Sequence, residues 1–477
     1  MNTTLSKRGY IILKSELKLP DLIKHRKILT VKPEVANSKF DVAIESFPVY
    51  RENERKLYVP KCYGINTFGP PSENRLSESA SDKEPAIGFN VDNLHFNGKL
   101  KLNQIEPAKI ALKRINEVSG GILQLPCGFG KTCLALYIAC ILKVKTLVVV
   151  HKEFLTTQWK ESINKFIPKA RVGIIQGEKF QVKDKEICIG MLQSISMKNY
   201  PTGSFDEFDL VVIDECHFLG AKVFSQALFK IVSKYTLGLS ATPTRPDALE
   251  RVFKWHIGDV IYSEKRALKG KTPLVLVYNY CHDTEKTKYT EIRDKRGNIS
   301  VVNMLSQILE NPFKNDFIVK KVIEMLSENR KILVLSERRN HLATLNEIFE
   351  SKETNFKSGM FVGGMKVAER EESTKCNVIF GTFQMASVGL DIDGLDTLVL
   401  ASSKPGIVKN KRGDKISGSM EQSVGRIFRK EHLVTTPIII DVADMFSIFS
   451  SQARKRRVFY NDNGYNVKLV KINEFTV

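Results

Sequence analysis

Two short stretches, far apart in this chain, limit what it can fold into. The first, Leu125-Pro126-Cys127-Gly128-Phe129-Gly130-Lys131-Thr132, sets two glycines and a lysine at the head of an apolar helical run. The second, Gln422-Ser423-Val424-Gly425-Arg426-Ile427-Phe428-Arg429-Lys430, puts Gln422, Arg426 and Arg429 at i, i+4 and i+7, one face of a predicted helix. The first reads as a phosphate cradle. Gly128 and Gly130, with Pro126, Cys127 and Phe129 around them, let backbone N–H groups approach phosphates, and Lys131 adds a point charge. Thr132 offers a hydroxyl to Mg²⁺ at a helix N-terminus that favours anions. In the second, Arg426 and Arg429 suit the developing charge on a γ-phosphate, although two arginines on one helical face are often only a solvated stripe. A cradle this distant from its arginines implies two domains meeting over one nucleotide, an arrangement that turns hydrolysis into relative domain motion.

The bulk properties agree with several domains. A chain of 477 residues is too long for one core, and its 42% hydrophobic content is ordinary for a globular protein. No apolar run approaches the ~18–20 residues of a membrane span. Met1 to Leu19 has no continuous apolar core of a secretory signal, so an intracellular, non-secreted protein is expected. Lys and Arg number 73 against 53 Asp and Glu, a net charge of +20 that favours polyanions. The eight cysteines are scattered without a CxxC pair or a Cys/His cluster, which excludes a recognisable zinc module.

Composition divides the chain. Residues 1–85 carry strand-like stretches at Tyr10 to Leu13, Ile28 to Val31 and Lys56 to Val59 among many prolines, then a polar linker from Ser72 to Glu84. They are expected to form a small accessory domain that binds substrate or a partner. Beyond residue 100, short apolar runs alternate with amphipathic helical patterns. Candidate strands are Leu147 to Val150, Ile187 to Ile189, Leu210 to Ile213 and Thr236 to Leu239. A second series comprises Leu274 to Tyr278, Ile332 to Leu335, Val378 to Phe380, Thr397 to Leu400 and Pro437 to Ile440. Near-continuous apolar strands between helices indicate parallel sheets covered on both faces. Two tandem α/β domains follow, 86–263 and 264–477, with the boundary near Glu264 to Thr272.

Further chemistry sits at the ends of these strands. Asp214-Glu215-Cys216-His217 follows Leu210 to Ile213, where an open α/β sheet places its ligands. Asp214 is expected to hold Mg²⁺ and Glu215 to orient or deprotonate the attacking water, with His217 relaying nucleotide state. Ser240-Ala241-Thr242-Pro243 follows the next strand, and its Ser240 and Thr242 are read as coupling hydrolysis to grip. After Val378 to Phe380, Thr382 is placed against a nucleic-acid phosphate, with Gly389 and Asp391 linking that contact to the nucleotide. Two basic clusters, Lys404 to Lys415 and Arg454 to Arg457, are either solvated faces or phosphate-tracking surfaces.

The ordered set of phosphate cradle, Asp214 to His217, Ser240 to Thr242 and Gln422 to Arg429 resembles superfamily 2 helicases over residues 100 to 460. Leu125 departs from that pattern, standing where a first glycine is usual. The resemblance implies a fold of two RecA-like parallel-sheet domains behind the accessory domain, with ATP and Mg²⁺ as cofactors. It implies an adenine-reading role for Gln104 and nucleic-acid contacts from His151 to Trp159 (Gln158), from Gly190 to Ser196 (Ser194), and from Ser336 and Arg338. Within the superfamily the chain resembles XPB- and UvsW-type DNA helicases. It is more narrowly similar, through Phe380 to Ile392, Leu57 to Gly64 and Arg454 to Tyr460, to the transcript-release DNA helicases of poxviruses and related large DNA viruses. That implies DNA, single-stranded or in a DNA/RNA hybrid, as partner, with RNA polymerase and transcription factors beside it and no membrane. It places such a protein in a viral factory of the host cytoplasm and in the virion. An RNA helicase, a catalytically silent binding scaffold and a restriction-enzyme motor are the competing readings. Lys131, Glu215 and Arg429 are all present, against the scaffold, and no nuclease constellation is recognisable.

Overall fold

The computed structural model describes residues 1–34, 45–76, 89–126, 128–264, 271–281, 289–295, 297–389, 392, 394–409, 415–416, 418–428 and 435–472. The chain forms two compact units, Met1–Arg266 with Lys409–Ile416, and Ala267–Val408 with Ser417–Val477.

The first unit is built on an eight-stranded sheet. Its order is Lys179–Phe180, Val172–Gln176, Ile187–Met191, Thr146–Val150, Leu210–Asp214, Tyr235–Ser240, Gly120–Gln124, Val260–Ser263. All neighbours are parallel except the short Lys179–Phe180 edge. The central strands are buried at nearly every residue, the signature of a sheet covered by helices on both faces.

The second unit holds a seven-stranded sheet ordered Ser358–Phe361, Val378–Thr382, Ile332–Ser336, Thr397–Leu400, Ile438–Asp444, Leu274–Tyr280, Asn466–Val470. Every pairing in it is parallel. Its strands feed two cores by alternation: Leu333 and Leu335 enter one, Ile332 and Val334 the other. Each unit is a RecA-like doubly wound α/β body. Among the described residues no helix is long and apolar enough to cross a membrane.

The front of the chain has its own five-stranded sheet, Arg51–Glu52, Lys56–Val59, Gly9–Leu13, Thr3–Ser6, Glu73–Asn74. Two expectations are corrected here. Ile28 and Leu29 close the helix Leu19–Leu29, which buries Leu22, His25 and Leu29 at helical spacing, and only Thr30–Val31 is extended. Glu73–Asn74, assigned to a linker, pairs in parallel with Thr4 and Leu5; the rest of that linker from 77, like most of the Glu264 to Thr272 boundary, lies outside the described residues.

Two lysines tie this front module to the rest of its unit: Lys7, whose Nζ donates to the Phe208 carbonyl at 2.8 Å just ahead of the strand Leu210–Asp214, and Lys61. Lys61 begins the helix Lys61–Phe68 and is fully buried. Its Nζ donates to the carbonyls of Ser119 (2.9 Å) and Ser233 (3.0 Å) and to Thr236 Oγ1 (3.1 Å). Ser119 and Thr236 stand at the amino ends of the strands that lead to the phosphate cradle and to Ser240. Burial lowers the Lys61 pKa to about 8. Apolar packing surrounds the tie, with Tyr63 edge-on to Trp255 at 5.5 Å and Val232 in the same core as Leu57 and Tyr10.

Candidate active site

Three adjacent strands end together at the carboxyl edge of the first sheet. Register sets Gln124 opposite Ser240 and Asp214 opposite Leu239, so the segments that follow emerge side by side. After Gln124 the chain turns through Gly128 (φ +81°) and Gly130 (φ +90°), left-handed conformations that glycine adopts without strain. The helix Lys131–Leu142 begins directly after, with Thr132 half-buried in its first turn. Phe129 is buried under the turn and its N–H reaches the Pro126 carbonyl at 3.3 Å. Cys127 lies outside the described residues.

The turn is braced from beneath by Gln104, whose Nε2 donates to the carbonyls of Phe129 (3.0 Å) and Gly130 (3.4 Å). Its Oε1 accepts from the backbone N–H of Lys101 at 2.9 Å, capping the helix Leu102–Val118. The side chain expected to face adenine is therefore buried against the phosphate loop.

Lys131 Nζ lies 2.8 Å from Glu215 Oε1. Glu215 takes a left-handed turn conformation (φ +48°) immediately past the strand, which turns its carboxylate back over the cradle edge. Its other oxygen accepts from Ser240 Oγ at 3.3 Å and lies 3.3 Å from His217 Nδ1, which in turn is 3.0 Å from Ser240 Oγ. Ser240 Oγ also accepts from the Thr242 N–H at 3.1 Å. Lys131, Glu215, His217, Ser240 and Thr242 thus form one connected network, and Arg245 closes it by donating to the His217 carbonyl while paired to Asp247. Burial alone would raise the Glu215 pKa. The charge of Lys131, with help from His217, overcomes that and holds it well below the ordinary carboxylate range.

Asp214 behaves oppositely. Burial, and then the neighbouring charge of Glu215, raise its pKa, against the pull of Lys131 and of a hydrogen bond from Trp159 Nε1 to Asp214 Oδ2 at 2.9 Å. Two adjacent carboxylates pushed apart in this way match a division of labour between cation holder and base. Asp214 and Thr132 are the residues that would hold Mg²⁺, whose charge relieves the repulsion Asp214 carries here. Trp159 is a positioning residue that the sequence reading placed only in a nucleic-acid segment; its indole is buried, and the contact joins elements 55 positions apart. Trp159→Phe keeps the packing and removes the donor. The Mg²⁺ concentration for half-maximal turnover is expected to rise ~10-fold or more, as for other losses of a partner behind a metal ligand, and an unchanged Mg²⁺ titration would remove this role.

A second feature was invisible in the sequence. His151 follows the strand Thr146–Val150 with its ring buried, stacked on Phe218 at 3.9 Å, and Phe218 in turn lies 4.3 Å from His217. Neither His151 ring nitrogen has a hydrogen-bond partner, and burial lowers its pKa to about 4, so it is neutral at physiological pH. Its carbonyl accepts from Gln193 Nε2 at 2.8 Å. Glu215 is therefore linked through His217 and the packed rings to the His151 segment, and from there through the Gln193 hydrogen bond to the second segment expected at nucleic acid. Within those segments Gln158 is half-buried, and Ser194 Oγ accepts from the Gly177 N–H at 3.0 Å.

In the second unit, Ser336 and Thr382 are register neighbours at the carboxyl edge of the sheet. Thr382 is half-buried, its Oγ1 accepting from Met385 N–H at 3.3 Å, and Arg338 is exposed at the head of the helix Arg339–Ser351. Ser336 lies deeper than Thr382. It is wholly buried and its hydroxyl is bonded to His341 Nδ1 at 2.8 Å. Gly389 ends the helix Phe383–Gly389, and Asp391 lies outside the described residues. The single helix expected over the arginines is two pieces, an α-helix Gly418–Val424 and a 3-10 turn Gly425–Phe428. Gln422 and Arg426 are buried there, Arg426 Nε donating to the Ala386 carbonyl at 2.5 Å, and Arg429 lies outside the described residues. The basic cluster Arg454 to Arg457 is also divided. Arg456 is buried, paired to Asp441 at 2.9 Å and donating to the Lys404 carbonyl at 2.7 Å, so it belongs to the core.

Comparison with known proteins agrees with this arrangement. Residues 97–245 match the family of the type III restriction enzyme res subunit, and 314–431 match the helicase conserved C-terminal domain. A mimivirus protein named as an ATP-dependent RNA helicase (L396, Acanthamoeba polyphaga mimivirus) is 32% identical over 99% of this chain and 88% of its own. The DNA 3'-5' translocase XPB2 of Sulfurisphaera tokodaii is 34% identical over 45% of this chain and 49% of its own. Among solved structures, the DNA-bound type ISP restriction-modification enzyme LlaBIII shares the fold, with 15% identity and a TM-score of 0.54, covering 80% of this chain and 32% of that one. With the cradle, the paired carboxylates and the Ser240 segment assembled on one sheet edge, and with this near full-length relative, the chain belongs to the superfamily 2 helicases.

Proposed function

We propose that this protein is a DNA translocase or helicase, driven by ATP with Mg²⁺, that acts in viral transcription by releasing nascent transcripts, with further roles in replication or recombination. The observation that carries the motor reading is the network from Lys131 through Glu215 to His217, Ser240 and Thr242. A silent scaffold has no use for a base held ionised beside the phosphate lysine. Here Lys131 occupies Glu215, and arriving phosphates compete for that lysine. Glu215 is then left to its water and to His217 and Ser240, so the presence of nucleotide reaches the Ser240–Thr242 turn as a change of hydrogen-bond partners. Gln422, Arg426 and Arg429 serve the same cycle from the second unit, and Gly389 and Asp391 link it to Thr382. Gln158, Ser194, Arg338 and Thr382 meet the nucleic-acid backbone, which supplies grip without sequence readout. Residues 1–85 serve as the substrate- or partner-binding part, 86–263 as the nucleotide-binding domain and 264–477 as its partner domain. RNA polymerase and transcription factors are the protein partners in this reading, and a viral factory and the virion its places of work.

The net charge of +20 supports a polyanionic track. DNA is favoured by the translocase relative, whereas the name carried by the mimivirus relative favours RNA. Steady-state ATPase assays with no polynucleotide, single-stranded DNA, duplex DNA and RNA separate the two. Stimulation of ~10-fold or more by DNA is expected, with a steep fall on raising salt. Stimulation by RNA alone transfers the assignment to an RNA helicase.

A further inference from the structure

The helix Leu192–Met197, which carries Gln193 and Ser194, is six residues long, too short to hold its place through its own hydrogen bonds. The last four carbonyls of an α-helix have no intrahelical donor. Here the Ser194 carbonyl accepts from the Lys198 N–H at 3.1 Å, and the next two are met by a side chain from a distant segment. Lys230 Nζ donates to the carbonyls of Ile195 (2.8 Å), Ser196 (3.0 Å) and Lys198 (2.7 Å). An ammonium has three protons, and three carbonyls receive them. Its charge also suits the negative end of a helix. At the other end of the helix, Gln193 Nε2 is held by the His151 carbonyl. The segment is thus pinned from two sides.

Lys230 lies just beyond the helix Lys222–Leu228, which follows the Asp214 to His217 stretch and shares a core with the short helix through Ile195, Ala227 and Leu228. Its neighbour Phe229 packs into a different core, with Val31, Phe47 and Val49 of the front part of the chain, and the Arg51 guanidinium sits 4.8 Å over its ring. The root of Lys230 is therefore fixed by the front module and the catalytic sheet, and its tip by the segment expected at nucleic acid. With all three protons engaged and the side chain half-buried, none remains for a phosphate.

We propose that Lys230 is a positioning residue for nucleic-acid grip, setting the helix Leu192–Met197 where Ser194 meets the backbone without touching the polyanion itself. This rests on the reading of Ser194 given above. It also gives the front module a part in grip, because the packing around Phe229 determines where Lys230 starts.

The test titrates a fluorescent oligothymidylate and a fluorescent oligouridylate with the full chain, by anisotropy over a series of salt concentrations. ATP turnover without polynucleotide is measured alongside, for the wild type, Lys230→Met and Lys230→Arg. Lys230→Met keeps the length of the side chain and removes its donors. Its Kd for whichever probe the wild type binds is expected to rise about 10-fold, the scale of a charge-assisted hydrogen bond. Unstimulated kcat and the KM for ATP are expected to stay at the wild-type values. The slope of log Kd against log salt is expected to stay as well, whereas losing a direct phosphate contact on a single strand lowers it by about 0.7. Lys230→Arg keeps the charge, but its planar fork cannot converge on three carbonyls, and a rise of ~3-fold at the wild-type slope is expected. An unchanged Kd in the methionine variant (or in the arginine variant, should the first not fold) overturns the proposal. So does a slope lowered as for a phosphate contact, or a kcat and KM that move together with Kd. A wild type that binds neither probe overturns the nucleic-acid reading of the chain and this inference with it. Where the wild type binds and only the variants contradict, that reading stands and the inference alone falls.

Discussion

Glu215→Gln is expected to bind ATP more tightly than the wild type and to hydrolyse it ~10³-fold more slowly. Loss of a positioned general base removes ~10²–10⁴ in rate, and glutamine preserves the shape that packs against His217 and Ser240. The tighter binding follows from the 2.8 Å pair with Lys131. In the wild type the triphosphate must take that lysine from a carboxylate; in the variant the lysine faces a neutral amide that holds it less strongly. A fall in kcat together with a fall in KM is the pattern of lost ground-state opposition, measured by rapid-quench single turnovers and by nucleotide titration. A variant within tenfold of wild-type turnover would take Glu215 out of the catalytic role, and an unchanged or raised KM would show that Lys131 is not contested.

Lys131→Ala is expected to leave no measurable turnover, for two reasons that the pair makes inseparable. The triphosphate loses its cation, and Glu215 loses the charge that offsets its burial. The second loss has its own readout. Glu215 is held below its unfolded pKa, so its ionised form stabilises the fold above the unfolded carboxylate range, and that contribution disappears as pH falls through the folded value. Removing Lys131 leaves burial to raise the folded pKa toward and past the unfolded value, so ionised Glu215 no longer stabilises the fold and costs stability at pH 7. Thermal melts of the variant should therefore recover stability, relative to those of the wild type, as pH is lowered from 8 toward the carboxylate range. Parallel melting profiles, or turnover near the wild-type rate, would contradict the assignment of this site.

What could be read from sequence was what local pattern controls. The strand Leu210–Asp214 was found because four consecutive apolar residues need cover on both faces; its last residue, polar and at the carboxyl edge, was left off. No strand was read over Val172–Gln176, Ser358–Phe361 or Asn466–Val470, all of which contain exposed or half-buried residues and, in two cases, a glycine. Ile28–Val31 misled because an apolar, β-branched run closes a helix whose buried face starts at Leu22. Around the site, the residue types of Lys131, Asp214 and Glu215 announced themselves through spacing. The contacts of Gln104, Trp159 and His151 did not, because each depends on which distant backbone or side chain the sheet order brings beside it. The break of the arginine helix at Val424 likewise follows Gly425, a residue that carries no helical preference to resist a tighter turn.

The lysine that enters the first sheet from the front module has an evolutionary corollary. Lys61 donates to the carbonyls of Ser119, Ser233 and Lys234 and to the buried hydroxyl of Thr236, and it does so from a segment read as an accessory. A motor core descended without that segment would carry an unfilled polar socket under the strands that bear its own catalytic residues. A chain in which this front module is exchanged for another must either keep the lysine or rebuild the floor beneath the strands.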